Sequence, residues 1–147
     1  MTPHNSMLLA ALALAAFAPP CLAQTRPAPA KTAAPPAAAG APALPTPPGG
    51  NADQVAAGQR LFGRSACRNC HGPEAKGTPI GPDLTAGAWL WSDGALPGIR
   101  KTISDGVSKP KRFKIAMPPK GGMQFSDAEL TELAAYVWAV GHHAAKP

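Results

Sequence analysis

The stretch Cys67-Arg68-Asn69-Cys70-His71 contains the residues whose types and spacing most clearly support chemistry in this chain. Two thiols three residues apart fit one helical turn, from which both sulfurs can reach the vinyl groups of a haem. The histidine that follows directly offers its imidazole to the haem iron. The stretch therefore predicts one haem c, attached through Cys67 and Cys70, with His71 as an iron ligand.

A redox dithiol and a structural zinc site are the alternatives for a Cys-x-x-Cys pair. Thioredoxin-like dithiols lie in a βαβ context, and this sequence shows no alternating strand pattern. A structural zinc ion usually needs two further ligands, and the remaining cysteine, Cys21, lies in a segment that we expect to be removed. Haem attachment is the interpretation that the residues favour.

The second axial position on the iron calls for a thioether if the haem transfers electrons at a raised potential. Met117 precedes two prolines and lies nine residues before Ser126, which leaves a loop long enough to cross the haem face. Met123 lies only three residues before Ser126, so we expect it to fill space in the core. We predict Met117 as the second iron ligand.

Several residues after the motif can support the haem. The imidazole of His71 needs a partner for its other nitrogen, and the carbonyl of Pro82, in a tight turn, is our candidate. Leu84 can pack against the ring from the same turn. Trp89 and Trp91 each carry one N–H donor that could reach a haem propionate, and the sequence ranks neither above the other.

The first fifty residues differ in composition from the rest of the chain. Residues 7–18 form a twelve-residue apolar run, too short for a conventional membrane-spanning helix, and we predict a secretory signal peptide over residues 1–23. Residues 24–50 hold eight prolines and nine alanines, which predicts a flexible linker. The folded domain is then residues 51–147.

The first helix of this domain is predicted to begin at a cap formed by Asn51 or Asp53. It runs to about Phe62, and Gly63 ends it. Gly58, inside the helix, lowers helix stability by roughly 1 kcal/mol relative to alanine, so we expect it to allow another helix to approach closely.

Two more helices follow. One is predicted over residues 95–104, and the last begins with a capping box at Ser126 and stops at Gly141. His142 and His143 should be exposed terminal residues. The sequence therefore predicts an all-α fold, with three to four helices and loops wrapped around one covalent haem.

The net charge of +6 comes from 14 basic and 8 acidic residues. The basic residues neither form runs nor alternate with aromatic residues, which argues against binding to nucleic acid. Seven of them lie between positions 100 and 120, against one acidic residue. Lys114 and Lys120 flank the proposed ligand loop, so we expect a basic rim that docks a redox protein with an acidic face.

With these motifs in place, the folded part resembles a class I monohaem c-type cytochrome. Gly58, the haem motif, the proximal loop and Met117-Pro118 match that family in order. The resemblance implies that His71 and Met117 ligate the iron and that the exposed haem edge passes electrons. The loop around Trp89 and Trp91 is also similar to c-type domains of haem-copper oxidases, although this chain has no second haem motif.

A haem with both axial positions filled has no open site for a substrate, so we predict an electron carrier and not an enzyme. We expect a periplasmic monomer without stable membrane insertion. An alternative is a cytochrome c subunit of a periplasmic dehydrogenase or terminal oxidase complex. A haem enzyme or gas sensor with an open distal site is the third interpretation.

Overall fold

The computed structural model describes residues 43–143, and these residues form helices and loops without a β-strand. The predicted signal peptide and residues 24–42 of the predicted linker lie outside the described residues. Two isolated antiparallel bridges occur, between Thr78 and Gly81 and between Val107 and Met117. The helices are α1 (Ala52–Arg64), α2 (Cys67–His71), α3 (Leu96–Asp105) and α4 (Asp127–His143), with a 3-10 turn at Pro119–Gly122. The prediction of an all-α fold is confirmed.

Helix α1 begins at the predicted cap and ends later than predicted. The side chain of Asn51 accepts from the Gln54 amide at 2.9 Å, and the Gln54 side chain accepts from the Asn51 amide at 3.1 Å. The helix passes through Gly63 and ends at Arg64. Its end is set by Ser65, whose amide and hydroxyl both donate to the carbonyl of Phe62. The prediction that Gly63 ends the helix is therefore wrong, because Gly63 lies inside α1 and Ser65 ends it.

The crossing of α1 and α4 forms the centre of the fold. A Cβ on Gly58 would collide with the carbonyl oxygen of Glu132 and would lie 2.8 Å from the Cβ of Tyr136. The rings of Phe62 and Tyr136 pack next to this point, with centroids 5.2 Å apart. The predicted close approach at Gly58 is confirmed, because only a glycine leaves room for the backbone of α4.

Replacing Gly58 with alanine should therefore destabilise the domain. The new methyl group meets backbone atoms that cannot rotate away, and overpacking of this kind costs about 1–3 kcal/mol. Gly63→Ala is the matched control, because a Cβ there meets nothing within 4 Å and alanine stabilises a helix by up to about 1 kcal/mol. Denaturant unfolding of both variants measures the difference. Equal stability of the two variants would contradict the close approach of α4 to α1 at Gly58.

Helix α4 keeps its predicted start but not its predicted end. The Ser126 amide donates to the Glu129 carboxylate at 2.9 Å, and the Glu129 amide donates back to the Ser126 hydroxyl, at 3.3 Å. Gly141, predicted to end the helix, lies inside it and is buried. A Cβ at Gly141 would come within 2.6 Å of the Trp89 ring, so this glycine makes room for a packed side chain.

The two histidines at the end of α4 differ in environment. His142 is half-buried, and its ring stacks on that of Trp138 with centroids 4.0 Å apart. Its Nδ1 donates to the Trp138 carbonyl at 2.8 Å. His143 is exposed, as predicted. The prediction of an exposed His142 is wrong because the preceding turn of the helix offers it both an aromatic face and a carbonyl.

Contacts of the domain begin before the predicted boundary at Asn51. Leu44 packs against the core and Pro47 is buried, although both belong to the segment predicted as a linker. The Gly50 amide donates to the Pro47 carbonyl at 3.0 Å, which turns the chain toward α1. Within residues 43–143, no helix has both the length and the apolar character needed to cross a membrane.

Candidate haem-binding site

Helix α2 is a single turn that consists of the motif Cys67–His71. Gly72 follows it with a φ of 78° and turns the chain away. Neither Cys67 nor Cys70 forms a disulfide, and both line the same open cavity as His71. The structure thus places the two thiols and the imidazole together, as the motif predicts.

His71 is the buried polar group of this cavity, with 9% of its surface exposed. Its Nδ1 lies 3.0 Å from the carbonyl oxygen of Pro82, to which it donates a hydrogen bond. This bond fixes the tautomer in which Nε2 is free to act as a ligand. Burial lowers the pKa of His71, and the bond to Pro82 opposes that shift more weakly. The ring is therefore held neutral and oriented.

The proximal loop that carries Pro82 is fastened directly to the motif. The hydroxyl of Thr78 donates to the carbonyl of Cys70 at 2.5 Å. A Cβ on Gly81 would lie 2.9 Å from the carbonyl carbon of Cys70, so the two backbones touch. Sequence reasoning missed Thr78, and its position between two loop glycines gave no signal of this contact. Thr78 and Gly81 hold Pro82 at the distance that His71 requires.

The walls of the cavity are mostly apolar and come from all four helices and the connecting loops. Leu84 lines the cavity and packs against the core. The Trp89 ring also lines it and lies against Gly94 and Gly141. Trp91 lines it with 44% of its surface exposed. The apolar residues that α1, α3 and α4 contribute to the wall are Phe62, Ile99, Ile103, Leu133 and Val137.

Met117 lines this cavity, and backbone hydrogen bonds fix its position. Its amide and carbonyl form paired hydrogen bonds with Val107, at 3.0 and 2.7 Å. A Cβ on Gly106 would collide with the Met117 carbonyl and lie 2.6 Å from the Pro119 nitrogen, so the end of α3 packs tightly on the loop that carries Met117. Met117 is thereby placed in the same cavity as His71.

Met123 lies elsewhere. It is 39% exposed and is absent from the cavity wall, so the prediction that it fills the core is wrong. The 3-10 turn explains this position, because its Lys120 carbonyl accepts from the Met123 amide at 3.2 Å and directs the chain outward before α4. Of the two methionines considered as iron ligands, the geometry favours Met117.

The donor set fits a haem c. Two free thiols, a neutral imidazole and a thioether open into one apolar cavity, and each is a group that covalent haem uses. Within residues 43–143, no three or more His, Cys, Asp or Glu side chains are arranged so that together they could hold a metal ion. The zinc alternative therefore finds no ligand set in that part of the chain.

The basic residues near the loop that carries Met117 differ from the predicted rim. Lys120 is half-buried in a left-handed conformation, with a φ of 56°, and its Nζ donates to the Phe125 carbonyl at 3.3 Å. Lys114 is exposed. Lys111 lies over the Trp91 ring, with Nζ 4.7 Å from the ring centroid. The rim is therefore formed by the residues before Met117 and does not include Lys120.

Comparison with known proteins places these features in a family. The family described as "Cytochrome C oxidase, cbb3-type, subunit III" matches residues 53–137, which is more than half of the chain. The matched region runs from the first turn of α1 into α4 and contains every candidate site residue.

Two curated relatives are similar to part of this chain. The cbb3-type cytochrome c oxidase subunit FixP of Rhizobium etli is 34% identical over 89 residues, which is 58% of this chain and 30% of that protein. The subunit FixPc of Rhizobium leguminosarum bv. viciae is 31% identical over 96 residues, which is 63% of this chain and 32% of that protein. The chain thus spans about a third of the length of these relatives.

Among solved structures, cytochrome cL from the methylotrophic bacterium Methylophaga aminisulfidivorans is similar to this chain. The sequences are 26% identical and the TM-score is 0.46, with 58% of this chain and 51% of the other covered.

Proposed function

The chain belongs to the family of cbb3-type cytochrome c oxidase subunit III and is a cytochrome c electron-transfer domain; on this premise we propose that it is a periplasmic carrier with one covalent haem. The observation that carries the proposal is the placing of two thiols, His71 and Met117 in one cavity. We assign covalent attachment to Cys67 and Cys70 and iron ligation to His71 and Met117.

The haem supplies a one-electron Fe(III)/Fe(II) couple when bound. The residues of the chain would hold the haem and would keep oxygen and peroxide from the iron. His71, oriented by the Pro82 carbonyl at 3.0 Å, offers Nε2 from one side of the cavity. Met117, held by its backbone hydrogen bonds to Val107, would offer a thioether to the iron. That ligand would raise the reduction potential and would leave no coordination position for oxygen or peroxide.

The apolar wall of the cavity would also favour electron transfer. Leu84 and Trp89 line the cavity, and the Trp89 ring is wedged against Gly141 of α4. Removing water from the iron disfavours the more highly charged ferric form, and it lowers the reorganisation energy of electron transfer. We therefore assign these two residues to haem packing.

An oxidase subunit is the second candidate, because both curated relatives carry that description. The same haem would then serve one fixed partner instead of diffusing between two. For either role we propose a monomeric cytochrome domain on the periplasmic side of the inner membrane, following a signal peptide, with a redox protein as its partner. Co-elution of an oxidase from the native membrane would favour the subunit, and a free monomer would favour the carrier.

The direct test is a visible spectrum combined with haem extraction. We expect the haem to stay on the polypeptide after treatment with acid acetone, since the thioether bonds are covalent. The ferric protein should show a sulfur-to-iron charge-transfer band, and the ferrous protein should not bind carbon monoxide readily. Extractable haem would refute covalent attachment. A carbon monoxide complex at low gas pressure would instead favour a gas sensor or haem enzyme.

A further inference from the structure

The proximal loop, residues 72–84, is tied to the haem motif by the side chain of Thr78. Its hydroxyl donates to the carbonyl of Cys70 at 2.5 Å. The same hydroxyl accepts from the amide of Ile80 at 3.2 Å. Thr78 therefore joins the backbone of the segment that carries the thiols to the backbone of the loop that carries Pro82.

Backbone hydrogen bonds make the loop around this side chain a connected unit. The Gly77 amide donates to the His71 carbonyl at 2.7 Å, which fixes the first half of the loop. Thr78 and Gly81 exchange hydrogen bonds of 3.0 and 3.3 Å between their amides and carbonyls, which closes the turn directly before Pro82. A displacement of Thr78 is therefore passed to Pro82 over a short hydrogen-bonded path.

Thr78 lies behind the wall of the cavity and not in it. It is half-buried and is not among the lining residues, whereas Cys70, His71 and Pro82 all line the cavity. Its hydroxyl is also already engaged with two backbone groups. Thr78 can therefore act on a bound haem only through the residues that it positions.

The hydrogen bond from the His71 Nδ1 to the Pro82 carbonyl, 3.0 Å long, can carry such an effect to the iron. A partner on the outer nitrogen raises the basicity of an imidazole that ligates a metal. A more basic ligand stabilises ferric iron relative to ferrous iron, which lowers the reduction potential. The position of the Pro82 carbonyl should therefore set part of that potential.

We propose that Thr78 is a positioning residue that tunes the haem: by binding the Cys70 carbonyl, its hydroxyl keeps the Pro82 carbonyl on His71 and so lowers the reduction potential. This inference rests on the proposed function, since it requires iron bound to His71. The alternative is a purely structural hydroxyl. Its loss would then lower the stability of the domain and leave the bond to His71 unchanged.

The test compares variants of the haem-loaded full chain that differ in this hydroxyl. Thr78→Val replaces it with a methyl group of nearly the same size, and Thr78→Ser keeps it. Thr131→Val is the matched control, because the Thr131 hydroxyl also donates to a backbone carbonyl, that of Asp127 at 2.9 Å, and Thr131 does not line the cavity. If Thr78→Val does not fold, Thr78→Ala is compared with Thr78→Ser, from which it differs by one oxygen atom.

Redox titration measures the potential, and nuclear magnetic resonance of the ferrous protein measures how fast the His71 Nδ1 proton exchanges with solvent. At a fixed applied potential, Thr78→Val should raise the ratio of ferrous to ferric protein about threefold, which corresponds to about 28 mV for a one-electron couple. Its Nδ1 proton should exchange about tenfold faster, because a weaker bond protects it less. Thr78→Ser should match the parent in both measurements, and Thr131→Val should lower only the stability in denaturant.

An unchanged potential and an unchanged exchange rate in Thr78→Val would overturn the proposal, even if that variant were less stable. Equal shifts in Thr78→Val and Thr131→Val would overturn it as well, because general loosening of the domain would then explain them. A shift in Thr78→Ser as large as that in Thr78→Val would exclude the hydroxyl as the cause. A parent protein without the sulfur-to-iron band would refute the proposed function, whereas a normal spectrum with an unchanged potential in Thr78→Val refutes only the role of Thr78.

Discussion

A chain in which Cys67 and Cys70 are both replaced by alanine is expected to lose its haem to acid acetone and to lose most of its helical structure. The two thiols are free and line the cavity, so they are the positions from which thioether bonds can form. Without these bonds nothing covalent retains the haem. Haem extraction and far-ultraviolet circular dichroism measure the two effects.

The loss of structure follows from the position of the cavity within the core. Phe62, Ile103 and Leu133 belong both to the cavity wall and to the main hydrophobic cluster. A domain of about 100 residues has little stability to spare, so leaving these side chains without their apolar partner should unfold much of it.

The single variants Cys67→Ala and Cys70→Ala are the controls. Each should keep the haem on the polypeptide through the remaining thioether, with the fold largely retained. If the double variant retained haem after extraction, the attachment site would lie elsewhere. If it lost the haem but kept its helices, the haem would not be the centre of the core.

Features that depend on local chemistry were predictable from the sequence. The caps at Asn51 and Ser126 are short-range arrangements of a side chain and the amide three residues on, so their residue types identify them. The spacing of the haem motif is equally local. Gly58 was also predictable, because a glycine inside an otherwise favourable helix indicates a close approach.

Features that depend on distant parts of the chain were not predictable. Gly141 has the residue type of a helix stop, but the Trp89 ring, fifty-two positions earlier, occupies the space where a side chain would lie. There a tertiary contact decides the role of the glycine, and the local residue pattern carries no record of it. Lys120 is a different case, because it looks like a free surface charge and yet its ammonium group reaches the Phe125 carbonyl, only five residues along the chain.

Met117→Ala is expected to change the spectrum and the chemistry of the iron while the haem stays attached to the chain. Loss of the thioether should abolish the sulfur-to-iron band and lower the reduction potential on the order of 0.2 V, because the axial ligand is a main determinant of haem potential. The ferrous variant should bind carbon monoxide. Visible spectroscopy, redox titration and gas titration measure these effects.

Met123→Ala is the matched control, because it removes the same thioether from a position six residues further along the chain. Met123 is 39% exposed and outside the cavity wall, so its loss should leave the spectrum, the potential and the gas affinity unchanged. The reverse pattern would mean that Met123 ligates the iron. The Val107–Met117 clamp would then have to open when haem binds, since it holds Met117 and not Met123 in the cavity.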